Sequence, residues 1–201
     1  MDMRHPATRK LVLASASPRR RQLLTQIGCH FEIAESNYRE VVPRHMPPKQ
    51  VAMHLSRGKA LAVAVRYPNA LIIAADTIVV SNGKILGKPR NAAHAEKMLT
   101  TLSGRRHSVI TGLTVIDTAN KKTIIRAVTT DVYMNKSNPD DIRQYVRSKE
   151  PLDKAGAYAI QGWGALFIEK IYGDYYNVMG LPLVTLASML KKFDIEVRPQ
   201  K

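Results

Sequence analysis

Two serines and three arginines stand in Ser15-Ala-Ser-Pro-Arg-Arg-Arg21, where an apolar strand at 11–13 turns straight into a helix. Ser17 is a good N-cap, and Pro18 falls at the first helical position, where its missing N–H costs nothing. Free backbone N–H groups, the positive end of a helix dipole, hydroxyls and guanidinium groups are the components of an anion site, and phosphate is its natural occupant. The alternative is an ordinary capped helix with a solvated basic first turn. Cations are mildly unfavourable at a helix N-terminus unless an anion is present, which favours the phosphate reading. Asp76 is the second feature, because it interrupts the apolar run Ala70–Val80. An ionised carboxylate in a buried strand is costly unless it is paired, hydrogen-bonded or metal-bound, so Asp76 serves either catalysis or a structural ion pair. It stands within one strand or at a strand's end, with 78–80 starting a second leg. Lys59 and Lys88 are further cations, and Glu35 and Glu40 lie in a polar loop at 35–48 with three prolines. Basic groups of this kind hold a polyphosphate, while one or two carboxylates bind a divalent cation or activate water. Metal-assisted hydrolysis of a nucleotide is the chemistry these residues favour.

Other chemistries lack their parts. There is no Walker loop, no His-Glu-x-x-His, no Gly-x-Ser-x-Gly and no dinucleotide-binding glycine fingerprint. Cys29 is the single cysteine, which excludes an intrachain disulfide and a thiolate metal cluster; it is expected to fill core space. His94 and Glu96 have no metal spacing and are expected at a solvated surface. The net charge of +15 calls for a polyanionic partner, either nucleic acid or a small phosphorylated ligand. The basic residues are scattered in short pairs and triplets, and three Phe and one Trp make a poor stacking platform for single strands. Nucleic acid is therefore the less favoured partner. No apolar run reaches bilayer length and the first nine residues lack a hydrophobic signal core, so an intracellular, cytoplasmic protein with no membrane partner is expected.

The elements that must position these residues alternate in type. After the first helix, which stops at Gly28, a short strand is expected at 31–34 and a helix at 49–67. Its apolar stripe reads as Val51, Leu55, Leu61, Ala62 and Val65, and Pro68 ends it. The most apolar strand follows at 70–80, then an Asn-Gly hairpin turn at 81–84 and a loop at 85–90. Asn91 caps a helix that ends at Gly104, and strands at 106–117 and 123–133 form a meander. Asn138-Pro-Asp-Asp opens a helix reaching about Ser148. The glycine-punctuated stretch 150–164 either brings backbone close to a ligand or is merely a long connection. A strand at 165–171, a turn at 172–175 and a last helix from Gly180-Leu-Pro-Leu to about Phe193 complete an α/β protein with a mixed sheet.

In this order, several segments resemble the Maf family (septum formation inhibitor-like) of nucleoside triphosphate pyrophosphatases. They are Ser15-Ala-Ser-Pro-Arg-Arg20, Ala75-Asp-Thr-Ile-Val79, Gly87-Lys-Pro-Arg90, Leu102-Ser-Gly104, Glu150-Pro-Leu-Asp-Lys-Ala-Gly-Ala-Tyr158, Ile160-Gln-Gly162 and Gly180-Leu-Pro-Leu183. The resemblance implies a single domain over 10–201 after an N-terminal extension at 1–9. It implies a two-lobed mixed twisted sheet flanked by helices, similar to inosine triphosphate pyrophosphatases, with the active site in the central cleft. The implied reaction is hydrolysis of a nucleoside triphosphate to the monophosphate and pyrophosphate with Mg²⁺ or Mn²⁺, by a homodimer. Position by position, it makes Asp76 the proton acceptor and Glu40 an acidic helper toward metal or water. Ser15, Ser17, Arg19 and Arg20 match the phosphate-binding turn, and Lys59 and Lys88 match cleft lysines. The 150–158 segment resembles the branch acting on dTTP and UTP rather than on 7-methyl-GTP, with Arg19, Thr77 and Gln161 at its specificity positions. Gln161 carries an amide that reads a pyrimidine edge through a paired donor and acceptor. Arg39 departs from the pattern, standing where an acidic residue beside Glu40 is expected. A nucleotide-sensing protein of cell division with little catalysis is the competing reading.

Overall fold

The computed structural model describes residues 9–43 and 45–197, and all but Arg9 of the expected N-terminal extension lies outside them. The apolar run forms strand β3 (Ala70–Ser81), and the rest of the sheet assembles on its two edges. Along one edge runs β5 (Arg106–Asp117), antiparallel and in register from Leu71↔Asp117 to Val80↔Ser108. Beyond it lie β6 (Thr123–Met134) and β7 (Ile168–Tyr172), also antiparallel. The other edge of β3 is shared. Its first half pairs in parallel with β1 (Lys10–Leu13), ending at Leu13↔Ile73, and β1 carries the short β2 (Glu32–Ile33). Its last three residues pair with β4 (Lys84–Leu86), beginning at Val79↔Leu86. Between them, residues 74–78 have no strand on that side, and Asp76 is the middle residue of the gap.

Side chains alternate across a strand, and on β3 the two faces serve different partners. On one face Leu71, Ile73 and Ala75 pack with Leu23 and Leu24 of α1 (Pro18–Gln26) and Leu186 and Leu190 of α6 (Leu183–Lys191). Farther along the same face, Val79 joins a separate core with Leu99 and Leu102 of α3 (Ala92–Leu102) and Ile142 and Val146 of α4 (Pro139–Arg147). These two cores are the two lobes. The opposite face is spanned by a single helix, α2 (Pro48–Ala64), whose Ala60 and Val63 cover Ile72 and Ala74 while Val51 and Leu55 cover Ile78. Gly112 of β5, opposite Asp76 in the register, lets α2 lie against the sheet: a Cβ there would come 2.0 Å from the Ala52 carbonyl oxygen.

The caps form as the sequence indicates, with Asn91 and Asn138 accepting from the N–H of His94 and Asp141. Cys29 is half-buried against the first core. Four expectations need correction. The buried stripe of α2 is Val51, Ala52, Leu55, Ser56, Ala60 and Val63, while Leu61 and Val65 are exposed and the helix ends at Ala64. Close approach to the sheet selects small side chains, which weakens the amphipathic contrast a stripe depends on. Residues 150–167 form three short 3₁₀ turns (Glu150–Asp153, Ala155–Ala157 and Gly162–Phe167), so β7 starts at Ile168 rather than at 165. The expected turn at 172–175 runs into a five-residue helix, α5 (Tyr175–Met179), capped by Asp174, and β4 (Lys84–Leu86) takes the end of the expected 81–84 turn and the start of the expected 85–90 loop.

Candidate active site

The gap in β3 opens into a cleft of about 820 Å³ between the lobes. Asp76 is 5% exposed at its base, and an ionised side chain at that depth requires a counter-charge. Lys59 supplies it from α2, with Nζ 2.5 Å from Asp76 Oδ1. The same Nζ lies 2.7 Å from Oε1 of Glu40, which hangs over the cleft from the irregular segment between β2 and α2. Two carboxylates from distant parts of the chain thus converge on one point. Tyr38, two residues before Glu40, brings the hydroxyl end of its ring against α2 at Gly58, where a Cβ would meet the ring at 2.3 Å, and its hydroxyl contacts His54 Nε2. This seat fixes the segment that delivers Glu40.

The basic wall is built by the turn from β1 into α1. Ser15 Oγ accepts from the Ser17 N–H, and Ser17 Oγ accepts from the Arg20 N–H as the N-cap. The Arg20 guanidinium donates to the Gly180 carbonyl (2.8 Å), to Ser15 Oγ (3.3 Å) and to Thr77 Oγ1 (3.1 Å). Burial pulls its pKa below the ordinary arginine value, and nearby Asp76 favours the charged form. Thr77 Oγ1 lies 2.9 Å from Thr111 Oγ1, which donates to the Asn177 carbonyl at 3.1 Å. Thr111 has one hydroxyl hydrogen, so it accepts from Thr77, and Thr77 in turn accepts from Arg20. The relay therefore runs in one direction from guanidinium to backbone carbonyl, and the hydrogen of Thr77 is committed to it. Within this geometry Thr77 sets the orientation of Arg20.

The cleft is lined by Ser15, Ser17, Arg19, Arg20, Glu40, Lys59, Asp76, Thr77 and Lys88. Lys88 faces it from the loop after β4, on the opposite wall from the α1 turn. Gln161 lies apart, in a recess of about 40 Å³ that it shares with Arg19, Lys154 and Tyr158. Arg39 is exposed and does not line the cleft, whereas Glu35 does. Sequence reasoning singled out no role for Tyr38, Lys154, Tyr158 or Thr111. A glycine inside a helix, Gly58, was the available signal for the Tyr38 contact, since helices disfavour glycine unless something approaches closely. Tyr158 lines the cleft and the recess, and its hydroxyl bonds Nε2 of the buried His107 at 2.6 Å. Burial drives His107 down to about 4 and pushes Tyr158 up, so both are neutral near pH 7.

The donor set suits a hard divalent cation in one respect. Asp76 and Glu40 are brought together because each has one oxygen on the Lys59 ammonium, and Mg²⁺ is commonly bound by one or two carboxylates together with substrate phosphates. Among the described residues no group of three or more His, Cys, Asp or Glu could hold a metal by itself. No helix of the described residues is long and apolar enough to cross a membrane.

Comparison with known proteins gives a consistent result. A family model described as Maf-like protein matches residues 10–193. A dTTP/UTP pyrophosphatase of Methanosarcina barkeri is 49% identical over 190 residues, covering 94% of this chain and 96% of the relative. One of Moorella thermoacetica is 48% identical over 188 residues, covering 94% and 97%. Among solved structures, a HAM1 protein from Coxiella burnetii aligns with a TM-score of 0.52 at 16% identity, over 92% of this chain and 99% of that one. The Staphylococcus aureus Ham1 protein aligns with a TM-score of 0.53, also at 16% identity, over 92% and 100%. At that identity the two structures attest the two-lobed α/β fold alone.

Proposed function

The chain belongs to the Maf-like protein family, and on that premise we propose that it is a nucleoside triphosphate pyrophosphatase hydrolysing dTTP and UTP to the monophosphate and pyrophosphate. Near-full-length relatives carrying that activity in their names support the substrate class. The observation that carries the chemistry is the convergence of Asp76 and Glu40 on Lys59, facing a basic wall across an interlobe cleft.

Asp76 is the proton acceptor for the attacking water, and Lys59 holds its carboxylate in place. Asp76 and Glu40 would hold Mg²⁺ or Mn²⁺. When bound, such a cation supplies Lewis-acid polarisation of a phosphoryl oxygen and acidifies water. Ser15, Ser17 and Arg19 at the α1 turn bind phosphate oxygens, and Arg20 stiffens the turn through its three bonds while adding positive potential. Lys88 offsets charge on the departing pyrophosphate from the opposite wall. Gln161 reads the base from the recess, Arg19 lines both cleft and recess and so reaches from phosphate toward base, and Thr77, the third specificity position the resemblance implies, holds Arg20 beside them. The resemblance adds a cytoplasmic homodimer, which sedimentation velocity tests.

The deciding experiment is pyrophosphate release with Mg²⁺ or Mn²⁺ over dTTP, UTP, CTP, dATP, GTP and 7-methyl-GTP. Turnover concentrated on dTTP and UTP is the expected outcome. Preference for 7-methyl-GTP would keep the chemistry and overturn the base assignment. Folded protein with no turnover on any of them would favour a nucleotide-sensing role.

A further inference from the structure

The stretch 150–164 shows no period in the sequence, yet its geometry centres on one side chain. Glu150 stands just after α4, following Lys149 in a left-handed conformation (φ 63°), and its N–H donates to Ser148 Oγ. Its carboxylate reaches across to the loop carrying Gln161. Oε1 accepts from the Gly164 N–H (3.2 Å) and from the Tyr145 hydroxyl (3.0 Å), and Oε2 accepts from the Trp163 N–H (3.2 Å). The Tyr145 oxygen in turn accepts from the Ala159 N–H at 3.3 Å. The loop is therefore held at 159, 163 and 164, on both sides of Gln161.

Two glycines adapt the loop to this grip. Gly162 has φ +68°, and a Cβ on it would lie 2.8 Å from Glu150 Oε2. A Cβ on Gly164 would lie 2.6 Å from the Tyr145 hydroxyl oxygen and 2.3 Å from the Ala159 carbonyl oxygen. The backbone carbonyl of Glu150 has a second task, accepting from Lys154 Nζ at 2.9 Å. Lys154 also pairs with Asp153 at 2.5 Å, and it lines the cleft and the recess. The carboxylate thus grips the loop of Gln161, while the backbone at 150 seats Lys154 whatever side chain stands there.

We infer that Glu150, acting with Tyr145, is a positioning residue for nucleobase recognition, holding the loop of Gln161 at the recess wall without touching the substrate. The inference rests on the proposed nucleotide pyrophosphatase function. An amide reads a base only when its donor and acceptor are held in register, and misplacement by about 1 Å is enough to lose much of that advantage. Contacts to the phosphates are made elsewhere, by the α1 turn and Lys88. Loosening the loop is therefore felt in base affinity and selectivity rather than in the chemical step.

The test compares wild type with Tyr145→Phe and Glu150→Gln, each first checked for folding by thermal unfolding. Tyr145→Phe is nearly isosteric and keeps a folded variant available if Glu150→Gln is too disruptive. Binding of α,β-methylene-dTTP, of the corresponding CTP analogue and of inorganic tripolyphosphate is measured by calorimetry, alongside kcat and KM for dTTP. The variants are expected to bind the dTTP analogue at least tenfold more weakly and to lose most discrimination against the CTP analogue. Tripolyphosphate affinity should be unchanged, and kcat for dTTP should stay within threefold. Acrylamide quenching of Trp163, the single tryptophan, should rise in both variants without ligand. Wild type that binds the dTTP analogue, with folded variants that match it in affinity and selectivity, would overturn this inference alone. A loss of kcat with affinity and selectivity intact would also overturn it. Wild type that binds no nucleotide and releases no pyrophosphate would overturn the functional reading and this inference with it.

Discussion

The Lys59–Asp76 pair is expected to behave as one electrostatic unit, which a double-mutant cycle measures directly. Nζ and Oδ1 are 2.5 Å apart, and the side chains are 17% and 7% exposed. Unit charges about 3 Å apart attract by about 5 kcal/mol at an effective dielectric constant near 20. Desolvation offsets part of that, and removing one partner of a buried pair typically costs about 3–5 kcal/mol because the other is left uncompensated. Arg20 is a second cation near Asp76, which brings the expected cost of Lys59→Met to the low end, about 3 kcal/mol. Asp76→Asn keeps the shape and leaves Lys59 its contact with Glu40. Lys59 keeps that partner and is the more exposed member of the pair, so this variant should lose less, about 1–2 kcal/mol. The double variant should then be no less stable than Lys59→Met alone, corresponding to a coupling of at least about 1–2 kcal/mol. Urea denaturation near neutral pH, with all four proteins at one slope, gives the number. A coupling below about 0.5 kcal/mol would show that the pair is not an electrostatic unit and refute the account of how Asp76 is held. In the same set, folded Asp76→Asn should release pyrophosphate about 10²–10⁴-fold more slowly, the span expected for losing a positioned proton acceptor. Comparable turnover would remove Asp76 from that role.

Other perturbations separate stability from activity. His107 titrates near 4 in the folded protein against 6.5 as its ordinary value, so between those pH values the unfolded chain binds a proton that the folded protein does not. Stability from this source is full above pH 6.5 and falls toward pH 4 by about 3 kcal/mol, and the slope should flatten in His107→Gln; an unchanged slope would refute the assignment. Gly112→Ala drives a Cβ into the Ala52 carbonyl, backbone against backbone, and should cost about 3 kcal/mol in chemical denaturation while lifting α2 and Lys59 away from Asp76. Gly58→Ala should act in the opposite sense on stability. The helix gains up to about 1 kcal/mol, but Tyr38 must leave its seat, so Tm should hold or rise while KM for dTTP increases; parallel loss of both would refute the seat's role.

The fold was legible where local chemistry and periodicity agreed. β3 could be read because nine of the eleven residues at 70–80 are apolar and need burial on both faces, and α3 and α4 because Asn91 and Asn138 cap them by side-chain bonds encoded within three residues. The stripe of α2 was misread because Ala52, Ser56 and Ala60 face the sheet at close range, and small or hydroxyl side chains carry little hydropathy signal. Asp76 stood out as a charge in an apolar run, yet its partners did not. Lys59 lies on a helix as an ordinary lysine would, and Glu40 lies in a segment with no period; their meeting depends on the sheet edge left open between β1 and β4. Matching to a family could name these residues, but only topology gives the reason they meet.

The 150–167 segment marks the limit of periodic reading most clearly. Its order comes from one carboxylate gripping backbone N–H groups more than ten residues away, with Lys149 and Ala157 in left-handed conformations that side-chain chemistry alone would not predict. Segments stabilised in this way can be placed only once their distant acceptor is known. That dependence is also why they suit specificity: a loop held by few strong bonds can change its side chains without disturbing a core. The recess residues Lys154, Tyr158 and Gln161 all lie in this segment, while Asp76 and Lys59 sit on the rigid strand and helix. Under the proposed function, Gln161 sits on a loop that can change without moving Asp76 or Lys59, so substitutions within 159–164 should alter which nucleotide is preferred before they alter how fast it is cleaved.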